Sequence, residues 1–91
     1  MAHKLNLSIR ATNGAQWETD EFGLNQRVDH VRKAAEKHFE QAGEMSPGDY
    51  LLGLVVDGTI QDLIDSEKLE DAGIKDGSVL VLKPRGGQVD G

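Results

Sequence analysis

Cysteine is absent from the 91-residue sequence. Its absence excludes disulfide bonds, thiolate metal sites and a thiol nucleophile on this chain, so any thioester chemistry must use the sulfur of another protein. Long apolar runs are absent as well. The sequence therefore predicts neither a signal peptide nor a membrane span, and we expect a cytoplasmic protein.

Basic residues are fewer than acidic ones, 10 against 16, which gives a formal net charge of −6. Nucleic acid is not an expected partner, because phosphate binding requires a basic surface. Residues 57 to 76 carry seven acidic side chains against two lysines, whereas Lys83 and Arg85 lie near the end of the chain. Two interpretations remain open: a solvated acidic face with ordinary terminal charges, or a cationic arm that fits an acidic groove.

The first strand is indicated by alternation of apolar and polar residues over residues 4 to 12. Asn13-Gly14 predicts a hairpin turn after it, because both turn positions tolerate positive φ. The inward side of the first strand is expected to be Leu5, Leu7, Ile9 and Ala11.

The length of 91 residues and the hydrophobic content of 37% predict one soluble domain with a modest core.

The return strand is expected over residues 15 to 24, with an irregularity at Gly23 that a β-bulge would explain. We expect Phe22 and Leu24 to reach the core after this irregularity. Trp17 is interpreted as a packing residue and not as a ligand platform, since no other aromatic residue is near it in sequence.

From Val28 onward the apolar residues recur at helical spacing, which predicts one amphipathic helix lying across the sheet. Asn25 or Asp29 is expected to cap its start, and Gly43 suits the position after its end. His38 lies at the edge of the apolar stripe and is interpreted as a partly buried packing residue, because the other histidines lack metal-ligand spacing. The stripe consists of Val28, Val31, Ala34, Ala35, His38, Phe39 and Ala42.

The second half predicts two further strands and a turn. Residues 50 to 56 form the third strand, and Asp57-Gly58 turns it into a short fourth one. Residues 69 to 74 lack sheet alternation, so we expect a short helical turn pinned by Leu69 and Ile74. A tight turn then delivers the chain into the last strand.

The last strand, residues 79 to 82, is expected to lie beside the first strand and parallel to it. One helix between two strand pairs must cross one face of the sheet, and this places the last strand there. The predicted fold is the α+β β-grasp, a mixed sheet of four to five strands with one helix packed across one face.

The predicted sheet has an open face with apolar residues on it. Leu80 and Leu82 should point inward, which leaves Val79 and Val81 on the solvent side. Together with Val55 they form a candidate docking patch.

The end of the chain joins a buried strand to residues that a sheet does not accommodate. Proline offers no N–H to a ladder, so Lys83-Pro84 is expected to end the strand and release an extended arm. Gly86 and Gly87 lack a Cβ, which lets them pass through a narrow channel and leaves the Gly87 carbonyl open to attack. A glycine pair alone is weak evidence, because glycine-rich ends are often only frayed. The expected divisions are a loose start at 1–3, a domain at 4–83, a di-glycine tail at 84–87 and a removable extension at 88–91.

The segments LEDAGI, KDGS and VLVLKPRGG, which fill residues 69 to 87, resemble the closing segments of ubiquitin nearly residue for residue. The resemblance covers residues 4 to 87 and is weaker in the first half. Arg85 matches an arginine of ubiquitin, whereas Lys83 replaces an arginine that the ubiquitin-activating enzyme reads and Pro84 replaces a leucine. The chain is more similar to the ubiquitin-like modifiers of bacterial conjugation operons, and the two replacements imply a dedicated activating enzyme.

The resemblance implies a protein modifier made as a precursor. A peptidase would cut after Gly87, an ATP-dependent activating enzyme would adenylate the new carboxyl group, and a conjugating enzyme would pass it to an amine of a target protein. Gly86 and Gly87 would be the processing and conjugation site. Lys83, Pro84 and Arg85 would be read by the activating enzyme or the peptidase.

Two other functions remain open. A sulfur carrier of the molybdopterin or thiamine type would bear a thiocarboxylate on Gly87, although such carriers usually end at the second glycine. A non-covalent ubiquitin-like interaction domain would use only its sheet face. No catalytic pairing, metal spacing or phosphate loop is found in the sequence, so we expect neither an enzyme nor a bound cofactor.

Overall fold

The computed structural model describes residues 4–85, and the predictions for Gly86, Gly87 and the extension after them concern residues outside this range. Five strands and one helix follow in the order that the sequence predicts. They are β1 (Lys4–Arg10), β2 (Gln16–Gly23), α1 (Val28–Gln41), β3 (Tyr50–Val56), β4 (Thr59–Asp62) and β5 (Val79–Pro84).

The strands form one sheet in the order β2-β1-β5-β3-β4. β5 pairs with β1 in parallel and with β3 antiparallel, and both hairpins are antiparallel. The helix between the hairpins provides the long connection that a parallel neighbour requires. The predicted α+β β-grasp fold with its mixed sheet is confirmed.

The core lies between α1 and one face of the sheet. The predicted inward residues of β1 and β5 are buried, as are the four helix residues Val28, Val31, Ala35 and Phe39. Leu69 and Ile74 are buried too, and the segment forms hydrogen-bonded turns in which the Ala72 N–H donates to the Lys68 carbonyl oxygen four residues back, as in a single helical turn. In the segment 4–85, no helix is both long and apolar enough to cross a membrane.

The irregularity of β2 lies three residues before its predicted position. Leu7 pairs with Thr19 and Leu5 with Phe22, so two residues of β2 face one of β1. The Thr19 hydroxyl accepts a hydrogen bond from the freed N–H of Glu21 at 3.2 Å, which compensates the disrupted ladder locally. This bulge changes the parity of the strand, so Thr19 and Phe22 both face the core. The predictions of a bulge at Gly23 and of a buried Leu24, which is 36% exposed, are wrong.

The start of α1 is capped by backbone and not by a side chain. Arg27 is the N-cap residue and makes no side-chain cap bond, so the expected caps Asn25 and Asp29 are wrong. The N–H groups of Val28 and Asp29 donate instead to the carbonyl oxygens of Glu67 and Asp65, at 2.8 and 3.0 Å. These bonds satisfy helix N–H groups that otherwise lack partners and fix the segment after β4 against the helix.

Trp17 and His38 pack against each other with parallel rings whose centroids are 4.3 Å apart. The Trp17 ring also meets Phe22 edge to face at 6.3 Å. His38 is partly buried, as predicted, and Trp17 packs against the core. Both residues are therefore packing residues, which confirms the interpretation from sequence.

Candidate functional site

The candidate site is the root of the predicted tail, at the carboxyl end of β5. The expected processing residues Gly86 and Gly87 lie beyond the described residues, so the root is defined here as Lys83, Pro84 and Arg85. All three are exposed or half-buried. Their contacts decide where the chain leaves the domain.

The sheet continues through Pro84, where we expected it to end. Pro84 lies opposite Tyr50 of β3, and the Arg85 N–H donates to the Asp49 carbonyl oxygen at 2.8 Å. In an antiparallel ladder, the residue next to a bonded N–H has its own nitrogen directed away from the same partner strand. Pro84 therefore occupies a position at which a missing N–H costs no bond to β3, and β5 ends at Pro84, two residues beyond the predicted end at residue 82.

The Arg85 side chain folds back onto the domain. Its Nη2 donates to the Tyr50 carbonyl oxygen and to Oδ2 of Asp65, both at 3.1 Å. Its side chain is 41% exposed, and that of Asp65 is 33% exposed. The last described residue is thus held by one backbone and two side-chain hydrogen bonds.

Lys83 is paired within the molecule as well. Its Nζ donates to Oδ1 of Asp62 at 2.8 Å, in an exposed ion pair between β5 and β4. Such a pair contributes little to stability, about 1 kcal/mol at most. Both cations of the predicted arm are therefore matched by acids of the 57–76 segment, which means that a partner with an acidic groove would have to compete with Asp62 and Asp65.

Asp65 connects the tail root to the helix. Its Oδ1 accepts from Arg32 Nε at 3.1 Å, and Arg32 Nη1 donates to Oε2 of Glu36 at 2.6 Å. Burial disfavours the charge on Arg32, but the hydrogen bonds to Glu36 and Asp65 and their negative charges outweigh it, so the pKa of Arg32 is raised above its ordinary value. Arg85, Asp65, Arg32 and Glu36 form a chain of alternating charge from β5 to α1.

The predicted docking patch lies on the sheet face opposite the helix. Val55, Val79 and Val81 are each half-buried, on the neighbouring strands β3 and β5. The structure adds Ile60 of β4, which pairs with Val55 and is 44% exposed. The prediction that these valines share one open face is confirmed, while their role in docking stays a prediction.

Gly53 explains how Ile60 joins this face. It pairs with Val81, and a Cβ built on it would lie 2.6 Å from Ile60 Cγ2 and 3.4 Å from Val81 Cγ2. The absence of a side chain lets Ile60 lie across β3 toward Val81. The signal for Ile60 was present in the sequence, since a two-residue turn at Asp57-Gly58 sets it opposite Val55.

Comparison with known proteins identifies the fold. Neither a family model nor a curated protein matches the sequence. Among solved structures, a designed protein based on ubiquitin shares 26% identity at TM-score 0.64, with 98% of each chain covered. The C-terminal ubiquitin-like domain of mouse tubulin-specific chaperone E shares 17% at TM-score 0.72, covering 98% of this chain and 94% of that one. The ubiquitin-like domain of Plasmodium falciparum Dsk2 shares 23% at TM-score 0.58, covering 88% and 99%.

These similarities show a ubiquitin-like fold. Ubiquitin-like domains generally act by interacting with other proteins.

Proposed function

We propose that the protein is a ubiquitin-like protein modifier, similar to those of bacterial conjugation operons. It is cleaved after Gly87, and the new carboxylate is activated with ATP to an acyl adenylate with release of pyrophosphate. The acyl group then passes to a partner's nucleophile and finally to an amine, usually of a lysine, on a target protein. The protein is the substrate of these steps and not their catalyst, and it acts in the cytoplasm without a cofactor of its own.

One observation carries this proposal. β5 is a central strand of a ubiquitin-like sheet, and it remains attached to the domain until Arg85, the residue directly before Gly86-Gly87. Gly86-Gly87 follow Arg85 directly in the sequence. On this proposal the attacked carbonyl is that of Gly87, and neither Gly87 nor the preceding Gly86 has a side chain that would hinder a partner enzyme.

The sheet face supports the same proposal. Val55, Val79, Val81 and Ile60 form an apolar surface on the strand that leads to the tail and on its neighbours. A partner that binds this face is thereby positioned along β5, toward Arg85. We propose this face as the docking surface for the activating or conjugating enzyme.

The test is the mass of the C-terminal peptide of the protein, isolated under denaturing conditions from cells that encode it. We expect a peptide that ends at Gly87, either free or linked by an amide bond to another protein. Sulfur in place of an oxygen on Gly87 would identify a sulfur carrier. An intact Gly91 terminus in every molecule would leave a non-covalent ubiquitin-like interaction domain and would overturn the proposal.

Two variants, each lacking a single glycine, form a matched pair. Deletion of Gly87 should abolish conjugation, because the activated carbonyl and the cleavage site are lost. Deletion of Gly91 should leave conjugation intact, because this residue is discarded with the extension. Adducts formed by the Gly87 deletion variant would refute the assignment of the site.

A further inference from the structure

We propose that Arg85 and Asp65 form a latch, which holds the root of the tail against the domain until an acidic partner surface takes Arg85 over. The biological role of this latch rests on the proposed function, whereas its existence does not. The Arg85 guanidinium reaches both the Tyr50 carbonyl and the Asp65 carboxylate at 3.1 Å, and its N–H is bonded to Asp49 at 2.8 Å.

The anchor of the latch is rigid on the domain side. The Asp65 carboxylate is shared with Arg32 of α1, and the Asp65 carbonyl accepts the N–H of Asp29 in the first helical turn. Asp65 is therefore tied to the helix by both its side chain and its backbone. Arg85 is the more exposed member of the pair, at 41% against 33%, so opening exposes Arg85 while Asp65 stays in place.

The chemistry of the latch determines the kind of partner that opens it. Arginine binds carboxylates through a planar fork of N–H donors, and an exposed pair of this kind is weak and exchangeable. A protein surface that presents one or more carboxylates to Arg85 can replace Asp65 without leaving the cation unpaired. The partner that captures the tail is thus expected to contact Arg85 with acidic residues. When it binds Arg85, it also breaks the contact with Asp65 and so releases the tail root.

Trypsin provides a direct probe, since it binds the arginine side chain in an acidic pocket and cuts the bond that follows. In the native protein it must take Arg85 from Asp65 before it can cut between Arg85 and Gly86. The bond after Lys83 is a poor substrate because proline follows it. The mass of the domain shows when residues 86 to 91 have been lost. The initial rate of this loss therefore reports the opening of the latch.

Asp65→Asn should increase the initial rate of cleavage after Arg85 by about two- to fivefold, the range set by the strength of an exposed ion pair when cutting follows the open fraction. Asp62→Asn is the matched control, because it removes the same charge from the ion pair of Lys83. It should leave the rate within the scatter of the wild type. The proposal of a latch would be refuted if both variants increased the cleavage rate equally, or if Asp65→Asn did not increase it.

Loss of overall stability must be separated from opening of the latch. Arg32→Met removes the other ion pair of Asp65 but leaves the pair with Arg85 intact. If the latch is correct, this variant is cut after Arg85 more slowly than Asp65→Asn, because Asp65 still pairs with Arg85 and its carbonyl oxygen still accepts the N–H of Asp29. Acceleration by Arg32→Met as large as that by Asp65→Asn would assign the cleavage to general unfolding and refute the latch.

The outcome is independent of conjugation. Trypsin reports the contact of Arg85 in any molecule that retains residue 86, whether or not a carboxyl group is later activated. If the protein proves to be a non-covalent domain, the trypsin rates still test whether Arg85 and Asp65 form a latch. If those rates refute the latch, the mass of the C-terminal peptide still tests the proposed function.

Discussion

Replacement of Arg32 by methionine should lower the free energy of unfolding by about 1.5 to 3 kcal/mol, the range for hydrogen bonds to charged groups. The Arg32 side chain is only 13% exposed, and its guanidinium bonds Glu36 and Asp65, which are 16% and 33% exposed. Methionine keeps much of the aliphatic stem, so the loss measures the polar contacts more than the packing. Glu36 would keep its charge but lose its cation in a poorly hydrated place, and Asp65 would keep only its pair with Arg85.

The matched control is Arg27→Met at the N-cap position of the same helix. Arg27 pairs with Asp29 at 3.0 Å, but its side chain is 56% exposed. An exposed pair of this kind contributes about 1 kcal/mol at most. The two substitutions are chemically identical, so the difference between them compares the two partly buried ion pairs of Arg32 with the single exposed pair of Arg27.

Urea unfolding followed by the fluorescence of Trp17 measures both variants, because this single tryptophan packs against the core. With a urea dependence of about 1 kcal/mol per M, the midpoint of the Arg32 variant should fall by about 2 M. The midpoint of the Arg27 variant should fall by less than about 1 M. Equal midpoints for the two variants would refute the conclusion that the Arg32 network joins the helix to the segment after β4.

Two further substitutions test the scaffold. Gly58→Ala should lower the unfolding free energy by about 1 to 2 kcal/mol, because Gly58 has φ +79 in the β3–β4 turn. Gly48→Ala is the control and should not lower it in this way, because Gly48 does not have a positive φ. Equal losses of stability in the two variants, measured by thermal unfolding, would contradict this account. Leu69→Ala should cost about 2 to 5 kcal/mol because Leu69 is fully buried; a melting temperature within a few degrees of the wild type would show that residues 69 to 74 do not belong to the core.

The fold was predictable where periodicity is strong. The alternation in β1 and the helical spacing after Val28 each determine a buried face, and the strand order follows from one helix between two hairpins. The position of the bulge was not predictable in the same way. It depends on which residue can satisfy the freed N–H, and the Thr19 hydroxyl does so, whereas the sequence pointed to Gly23 through its conformational freedom alone.

The candidate site shows the same limit. Val55, Val79 and Val81 could be placed on one face from strand parity. The partner of Arg85 could not, because Asp65 lies in an irregular segment whose position depends on the helix N–H groups that it caps. Proline also misled the prediction of the strand end, since its effect depends on which partner strand its nitrogen faces.

The position of β5 also sets the order in which the molecule can form. It is the last strand to be synthesised, yet it lies between β1 and β3 and joins the two halves of the sheet. Until it arrives, a growing chain holds two separate hairpins, and an isolated hairpin is at best marginally stable in water. Folding must therefore wait until β5 has been made, and a chain interrupted before Val79 would present the unpaired edges of β1 and β3 in addition to the outer edges of the two hairpins.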